Sequence, residues 1–160
     1  YWLMKAEPET RIEKGKDVKF SIDDLKDCIE PEPWTGVRNY VARNNMQSMK
    51  KGELAFFYHS NIKVPGIAGI CKIVEEATVD DSAFDPEDPY FDPKSNPEKP
   101  RWFCVKVSFI RKFPALVPLS VLQSHAKDGG PLAKMEAAVL RRAPSVSKVS
   151  ADQWEFVMSL

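Results

Sequence analysis

Several features that would place this chain in a common functional class are missing from its sequence. No apolar run approaches the roughly 20 residues that span a bilayer and no signal peptide is visible, so we expect no membrane partner. The three cysteines are widely spaced and form no C-x-x-C pair, so no zinc site is expected. The formal net charge is zero, which excludes a polyanion binder that works by total charge alone.

Motifs for catalysis and for cofactor binding are absent as well. The sequence contains no Walker loop, no G-x-S-x-G elbow and no H-x-E with P-C-x-x-C deaminase signature. We therefore expect no cofactor and no metal. An enzyme that acts on a nucleobase through His59 with Ser60, Glu7 or a cysteine stays open as an alternative.

Length and composition indicate one ordinary globular domain. A chain of 160 residues can bury its own core, and a hydrophobic fraction of 43% with a charged fraction of 29% is typical of such domains. We expect residues 1–160 to form a single, monomeric domain. Because the chain begins at Tyr1, we expect it to be part of a longer protein. Cys71 and Cys104 lie in apolar runs and are expected to be buried thiols in a reducing compartment, cytosol or nucleus.

Apolar periodicity, caps and turn residues predict an α+β fold. The predicted strands cover residues 1–5, 54–58, 67–74 and 102–110. The predicted helices begin at Ser21, Asn39, Pro118, Leu132 and Ser150. Residues 80–100 are acidic, hold five prolines and are expected to form a long irregular loop. Because the strands and helices do not alternate regularly, we expect a small curled sheet or barrel with added helices.

The most unusual segment is W-T-G-V-R-N-Y-V-A-R-N, from Trp34 to Asn44. It lies within residues 33–52, which contain no Asp or Glu. Trp and Arg offer flat faces for stacking, and Arg and Asn offer forked hydrogen bonding to a base edge or a phosphate. This mixture favours nucleobase recognition over catalysis. A second polar cluster, residues 58–61, leads into P-G-I-A-G at residues 65–69.

Charged residues are unevenly distributed along the neutral chain. Residues 1–32 and 75–98 each hold nine of the 23 acidic residues. Residues 33–52 and 99–148 hold four and ten of the 23 basic residues. If the two basic stretches meet in space, they form a positive face; otherwise the charges alternate over a solvated surface. The acidic loop at residues 80–100 could instead dock a basic partner, which makes a protein-interaction module a third possibility.

Four motifs occur in the order found in the EVE domain family, and together they make a specific match. They are Y-W-L-M-K-A-E-P at the start, W-T-G-V-R-N-Y-V-A-R-N, F-F-Y-H-S-N and P-G-I-A-G. The chain resembles this family over nearly its full length. The resemblance implies a PUA-like fold, a small mixed β-barrel flanked by helices. It also implies a non-catalytic reader of modified bases in the nucleus, with a 5-modified cytosine of DNA, rather than RNA, flipped into a pocket.

The motifs that carry the resemblance also supply the candidate binding residues. The expected base pocket comprises Lys5, Glu7, Trp34, Gly36, Val37, Arg38, Asn39, Tyr58, His59, Ser60, Asn61, Pro65 and Gly66. The expected contacts to the nucleic-acid backbone are Arg38, Arg43, Asn44, Lys50, Arg141 and Arg142. Asn44 is also a candidate C-cap for the helix that begins at Asn39.

Several of these residues also have structural interpretations. Trp34 could be a wall of the pocket or a core aromatic residue. Asn39 could contact a ligand or cap a helix, and His59 could read a base or be a satisfied structural histidine. Lys5 and Glu7 could face the pocket or pair with each other.

Two positions depart from the usual sequence of the family. Ala6 stands where the family usually has Ser, so a hydrogen bond from that hydroxyl is missing. The usual R-L-S-V near the C-terminus is replaced by R-A-P-S-V at residues 142–146. Both departures bear on base preference more than on the fold.

Overall fold

A computed structural model describes all residues from Tyr1 to Leu160. In it the chain folds into eight β-strands and five α-helices. The strands are β1 (Trp2–Ala6), β2 (Ile12–Glu13), β3 (Lys16–Asp17), β4 (Glu32–Pro33), β5 (Leu54–His59), β6 (Gly66–Val79), β7 (Phe103–Pro118) and β8 (Val146–Lys148). The helices are α1 (Ile22–Lys26), α2 (Tyr40–Ser48), α3 (Leu119–Ser124), α4 (Glu136–Val139) and α5 (Ala151–Met158). Two short 3-10 helices cover Asp81–Phe84 and Lys127–Gly129. None of the helices combines the length and the apolar character needed to cross a membrane.

Six strands form one sheet in the order β4-β7-β6-β5-β1-β8. β1 and β5 run parallel, with Trp2 opposite Ala55 and Ala6 opposite His59, whereas the other pairs are antiparallel. β2 and β3 form a separate hairpin. The register between β6 and β7 shifts at several places, and such irregularities bend and twist the paired strands. The mixed sheet with interspersed helices confirms the predicted α+β class.

Two glycines allow β6 and β7 to approach closely. A Cβ atom at Gly66 would lie 2.2 Å from the carbonyl oxygen of Val117, and one at Gly69 would lie 2.2 Å from the carbonyl oxygen of Arg111. Any larger residue would push the strands apart. The P-G-I-A-G motif therefore shapes the sheet at this point.

The sheet separates two hydrophobic cores. Side chains alternate along β1 and β5, so Met4 and Phe57 face the first core while Leu3 and Phe56 face the second. The first core lies under α1 and α2, and the second lies under α3, α4 and α5. In the second core Trp154 stacks on Phe56, with the ring centroids 3.9 Å apart.

Side-chain caps begin three of the helices where the sequence predicted them. Ser21 and Asp24 form a capping box at α1, and Ser150 and Gln153 form one at α5. The side-chain oxygen of Asn39 accepts a hydrogen bond from the third residue of α2 at 2.9 Å. Each cap is worth about 1 kcal/mol. The structural interpretation of Asn39 is thus confirmed.

Some predicted boundaries were wrong. β6 and β7 run on to Val79 and Pro118 because each strand continues to pair with the other beyond the apolar alternation. The helix predicted from Leu132 is limited to α4, and the preceding residues form turns. β8 was not predicted, since three residues are too few to show a period. The predicted irregular loop at 80–100 contains a 3-10 helix near its start.

α2 packs one face against the first core and leaves the other exposed. Tyr40 and Val41 are exposed, whereas Ala42 and Met46 are fully buried. Asn44 lies inside the helix, whose C-cap is the residue that follows Ser48, so the interpretation of Asn44 as a C-cap was wrong.

Candidate nucleic-acid interface

A cavity of about 580 Å³ opens at the C-terminal end of β1. Most of its wall comes from residues 5–7 at the end of β1, from residues 32–38 and from residues 88–90. Its volume lies within the range of about 300–1,000 Å³ that is usual for small-molecule sites. We call this space the base cavity.

The base cavity brings together one part of the predicted pocket. The predicted residues that line it are Lys5, Glu7, Trp34, Gly36, Val37, Arg38 and Ser60. The predicted residues outside its lining are Asn39, Tyr58, His59, Asn61, Pro65 and Gly66. The first and second motifs of the sequence therefore converge here, whereas most of the third and fourth motifs lie elsewhere.

Trp34 belongs to the first core and also lines the base cavity. Its ring packs edge-on against Phe57, with centroids 5.6 Å apart, and against Phe20, with centroids 6.2 Å apart. Each such pair contributes about 0.5–1.5 kcal/mol beyond simple burial. Phe20 lines the cavity beside Trp34. The packing fixes both rings, so the cavity has a rigid aromatic wall before any ligand binds.

Lys5 contributes a half-buried side chain to the wall. Its ammonium lies 5.5 Å from the centroid of the Tyr58 ring, and burial lowers the pKa of Lys5. No carboxylate forms an ion pair with it. Glu7 instead pairs with Arg11 and also accepts a hydrogen bond from the Asn61 amide at 2.9 Å. The alternative in which Lys5 pairs with Glu7 was therefore wrong.

Arg38 ties the cavity wall to the acidic segment that follows β6. All three guanidinium nitrogens of Arg38 donate hydrogen bonds, among them one to Asp80 Oδ2 at 2.9 Å and one to the carbonyl oxygen of Tyr90 at 2.8 Å. The Asp80 side chain is fully buried and also accepts from the backbone N–H of Gly36 at 2.9 Å. We call residues 80–92 the strap. Arg38 thus holds the strap through these bonds, and its contact with a base or a phosphate stays a prediction.

Tyr90 completes the base cavity from the strap, and sequence reasoning missed it. Gly36 has a φ of +85°, and a Cβ atom there would lie 2.6 Å from Cδ2 of the Tyr90 ring. Gly36 thus supplies both the backbone conformation and the space for the ring. Burial raises the pKa of Tyr90. The signal in the sequence was the pair of aromatic residues at positions 90 and 91 in an acidic, Pro-rich loop.

His59 and Ser60 both make hydrogen bonds that serve the fold. His59 Nε2 accepts from the backbone N–H of Ile22 at 3.1 Å, which requires an unprotonated nitrogen, and burial lowers the pKa of His59. The Ser60 hydroxyl donates to the carbonyl oxygen of Ala6 at 3.1 Å. These bonds support the structural interpretation of His59.

The cysteines are poorly suited to act as nucleophiles. Burial raises the pKa of Cys71 to about 12 and that of Cys104 to about 11. Burial and the nearby Glu32 carboxylate raise the pKa of Cys28 as well. Because the thiolate is the reactive form, all three thiols are inert near neutral pH.

Three predicted residues at the C-terminal end of β5 and in the turn after it take part in packing and turns. Tyr58 is buried in the second core. Pro65 accepts a hydrogen bond from the backbone N–H of Leu119 at 2.8 Å, which joins the turn to α3. Gly66 begins β6 at its close approach to β7. Base contacts by these residues stay predictions without support from the cavity geometry.

The residues predicted to contact the nucleic-acid backbone lie on the surface. Asn44 and Lys50 are exposed, and Arg43 is partly exposed on α2. Arg141 and Arg142 are exposed in the turn that precedes Ala143 and Ser145, which line the base cavity. Their proposed contacts are not tested by the fold itself.

The two basic stretches of the sequence meet in space. Arg43 Nη1 donates to the carbonyl oxygen of Arg101 at 3.1 Å, which joins residues 33–52 to residues 99–148. This contact supports the condition under which a positive face was expected, and the positive face itself stays a prediction.

Both departures from the family sequence lie at the base cavity. Ala6 lines it, and its carbonyl oxygen accepts the Ser60 hydroxyl. Ala143 and Ser145, from the altered R-A-P-S-V motif, line it as well. The carbonyl oxygen of Ser145 accepts the backbone N–H of Lys5 at 2.8 Å, so this motif is held against β1.

Comparisons with known proteins agree with the fold and with the motifs. A family described as the EVE domain matches residues 1–160. Thymocyte nuclear protein 1 of Homo sapiens is 48% identical over 167 residues, which cover 100% of this chain and 73% of that protein. Thymocyte nuclear protein 1 of Danio rerio is 51% identical over 164 residues, which cover 99% of this chain and 71% of that protein.

Two solved structures share the fold over almost the whole chain. One is the human THYN1 protein in complex with 5-methylcytosine-containing DNA, with a TM-score of 0.92, 48% identity and coverage of 99% of this chain and 95% of that chain. The other is the DUF55 domain of human thymocyte nuclear protein 1, with a TM-score of 0.91, 48% identity and coverage of 99% and 96%.

Proposed function

The chain belongs to the EVE domain family over its whole length, and from this premise we propose that it is a non-catalytic reader of 5-modified cytosine in DNA. The observation that carries the proposal is the base cavity, whose lining includes the fixed rings of Trp34 and Phe20 and also the half-buried Lys5. A relative with the same fold is known in complex with 5-methylcytosine-containing DNA. In this protein the modified base would leave the duplex and enter the base cavity, at a cost of a few kcal/mol for unstacking.

The chemistry of the wall suits a cytosine with a substituent at carbon 5. Trp34 and Phe20 offer aromatic faces and edges to the flat base, and base–aromatic stacking contributes roughly 1–3 kcal/mol. Lys5 can donate to the O2 or N3 acceptor of the base, and Glu7 can accept from its amino group. Val37 adds apolar surface that a 5-methyl group can cover. One methyl group in such a pocket favours binding by about tenfold or more.

The surrounding surface would hold the strand. We include as contacts to phosphates the residues Arg38, Arg43, Asn44, Lys50, Arg141 and Arg142. Such contacts make affinity fall as salt rises, because each neutralised phosphate releases counterions. The related proteins are named nuclear proteins, and we propose a nuclear location and a monomeric state for this chain as well.

The geometry argues against the two other functions that the sequence left open. Nucleophilic catalysis needs an activated nucleophile beside a base, whereas His59 and Ser60 are each bonded to the backbone and the thiols have raised pKa values. The strap is bonded to Arg38 along the cavity wall, which suits a structural part of the site better than a separate docking segment.

The test is a set of binding measurements with matched oligonucleotides. Fluorescence anisotropy would compare DNA strands and duplexes with one cytosine, 5-methylcytosine or 5-hydroxymethylcytosine at the same position, with the RNA counterparts alongside. We expect about tenfold or tighter binding of a 5-modified DNA. Equal affinity for all of these nucleic acids, together with an affinity that does not change with salt concentration, would refute the proposal.

A pair of lysine variants separates base recognition from total charge. Lys5 lines the base cavity, whereas Lys127 is exposed in the turn after α3. Lys5→Met and Lys127→Met each remove one positive charge. We expect Lys5→Met to weaken binding of the modified DNA clearly more than Lys127→Met does, because only Lys5 lines the base cavity. Equal affinity of the two variants would exclude Lys5 from base recognition.

A further inference from the structure

A second cavity, of about 450 Å³, adjoins the base cavity. It is lined by Arg38, Tyr90, Phe91, Asp92, Arg101 and Trp102. Arg38 and Tyr90 line both cavities, so the two spaces share one wall. A single strand that places one base in the base cavity would bring its neighbouring nucleotide to the second cavity.

The second cavity has an aromatic floor that the fold holds in place. The buried Trp102 donates its indole N–H to Asp92 at 2.7 Å, which also holds the pKa of Asp92 below its usual range. Tyr40 stacks on Trp102, with ring centroids 4.9 Å apart and an angle of 22° between the rings. Phe91 lies beside them and is partly exposed. Trp102 is covered by Tyr40 and by the Arg38 guanidinium, 5.8 Å from the centroid of its ring, so Phe91 provides the accessible apolar surface, and the one carboxylate is already engaged.

Two guanidinium groups stand at the edge of this floor without a carboxylate partner. Arg43 lies over the Tyr40 ring, 4.8 Å from its centroid, and Arg101 reaches the Tyr40 hydroxyl at 3.5 Å. Neither forms an ion pair with a carboxylate, whereas the Arg38 charge is matched by Asp80. Their other hydrogen bonds go to backbone carbonyls and to the neutral Asn44 side chain. Guanidinium groups placed in this way are suited to bind phosphate.

We propose that the second cavity is a subsite for the nucleotide next to the flipped base. Its phosphate lies between Arg43 and Arg101, and its base lies against Phe91. This inference rests on the proposed function, because it needs a strand anchored in the base cavity. The strap would then contact the bound strand directly, through Phe91.

The test compares a ligand that fills only the base cavity with ligands that reach both cavities. The probes are the nucleoside 5-methyl-2′-deoxycytidine, its dinucleotides extended on the 5′ or the 3′ side, and an oligonucleotide with one central 5-methylcytosine. The variants are Arg101→Gln and Phe91→Ala, with Lys72→Gln as a control that removes one exposed charge from β6. Thermal melting of each variant checks that the fold is retained.

The proposal gives a distinct result for each probe. In the wild type one dinucleotide binds more tightly than the nucleoside. Arg101→Gln weakens that dinucleotide and the oligonucleotide by about tenfold or more, as expected for a lost charge-assisted hydrogen bond, and leaves the nucleoside unchanged. Phe91→Ala weakens the same two ligands roughly fivefold or more by removing a stacking surface. Lys72→Gln leaves the nucleoside and dinucleotide affinities unchanged.

Two outcomes overturn the proposal. In one, Arg101→Gln and Phe91→Ala bind the dinucleotides and the oligonucleotide as the wild type does. In the other, they weaken the nucleoside as much as the longer ligands, which would place their effect in the base cavity or in the fold. Failure of the proposed function looks different. The wild type would then bind modified and unmodified strands equally, and a loss of affinity for both strands in Arg101→Gln would show a general backbone contact rather than a subsite beside a flipped base.

Discussion

Replacing Arg38 by Ala is expected to destabilise the fold by about 3 kcal/mol. Breaking a buried ion pair on one side costs roughly 3–5 kcal/mol because the other charge stays buried without a counterion. The Asp80 side chain has no exposed surface, and only 19% of the Arg38 side chain is exposed, so solvent screens this pair little. Asp80 keeps its hydrogen bonds from Gly36 and Ser82, which places the expected cost at the lower end of the range.

Urea denaturation at neutral pH measures this loss. With a slope of about 2 kcal/mol per molar, a loss of about 3 kcal/mol lowers the midpoint by roughly 1.5 M. The thermal midpoint would fall by about 6–12 °C for a domain of this size. Arg43→Ala is the matched control, since Arg43 pairs with no carboxylate, and its effect should stay within about 0.5 kcal/mol.

The same variant should also affect the base cavity. Arg38 holds the strap, and the strap carries Tyr90, so Arg38→Ala is expected to weaken binding of modified DNA beyond the loss of one phosphate contact. The account of the buried pair would be refuted if Arg38→Ala lowered the free energy of unfolding by less than about 1 kcal/mol. It would also be refuted if Arg43→Ala lowered it as much as Arg38→Ala does.

Three further predictions concern the fold and its titrating groups. Gly66→Ala should cost about 2–3 kcal/mol in urea denaturation, because its Cβ would meet a β7 carbonyl oxygen; a neutral effect would contradict the close approach. Because the folded pKa of His59 is lowered, the unfolded chain binds more protons, and stability should fall as pH drops below the ordinary imidazole pKa of about 6.5. His59→Gln keeps an acceptor for Ile22 without titrating, so its melting temperature should depend less on pH between about 5 and 7; identical pH profiles would contradict this role. Cys71 and Cys104, with pKa values of about 12 and 11, should resist iodoacetamide in the native protein, as mass spectrometry can check; rapid alkylation at neutral pH would contradict their burial.

The parts of the fold that depend on neighbouring residues were predictable from the sequence. Ser21 and Ser150 begin helices through local capping boxes, and Asn39 caps α2 three residues ahead of its partner. The strand at residues 54–58 shows its apolar character within one short run. These signals lie within a few residues, so no knowledge of the tertiary structure is needed to find them.

The parts that depend on distant contacts were not predictable in the same way. The bonds from Arg38 to Asp80 and Tyr90 join residues 42 and 52 positions apart, across a segment that composition marks as a solvated loop. For the same reason the sequence did not reveal whether the polar side chains of residues 58–61, at the end of β5, face the base cavity. His59 instead reaches Ile22, 37 positions away, where it closes the start of α1.

The central claim is that a 5-modified cytosine enters the base cavity beside Trp34, and NMR of the tryptophan indole N–H groups tests it most directly. Trp34 lines that cavity, whereas Trp154 is stacked in the second core on the other face of the sheet. On addition of DNA with one 5-methylcytosine, the account predicts a large shift of the Trp34 indole signal, a much smaller one with unmodified DNA, and an unchanged Trp154 signal. If DNA binds and the Trp34 signal stays in place, or moves equally with unmodified DNA, the claim is contradicted.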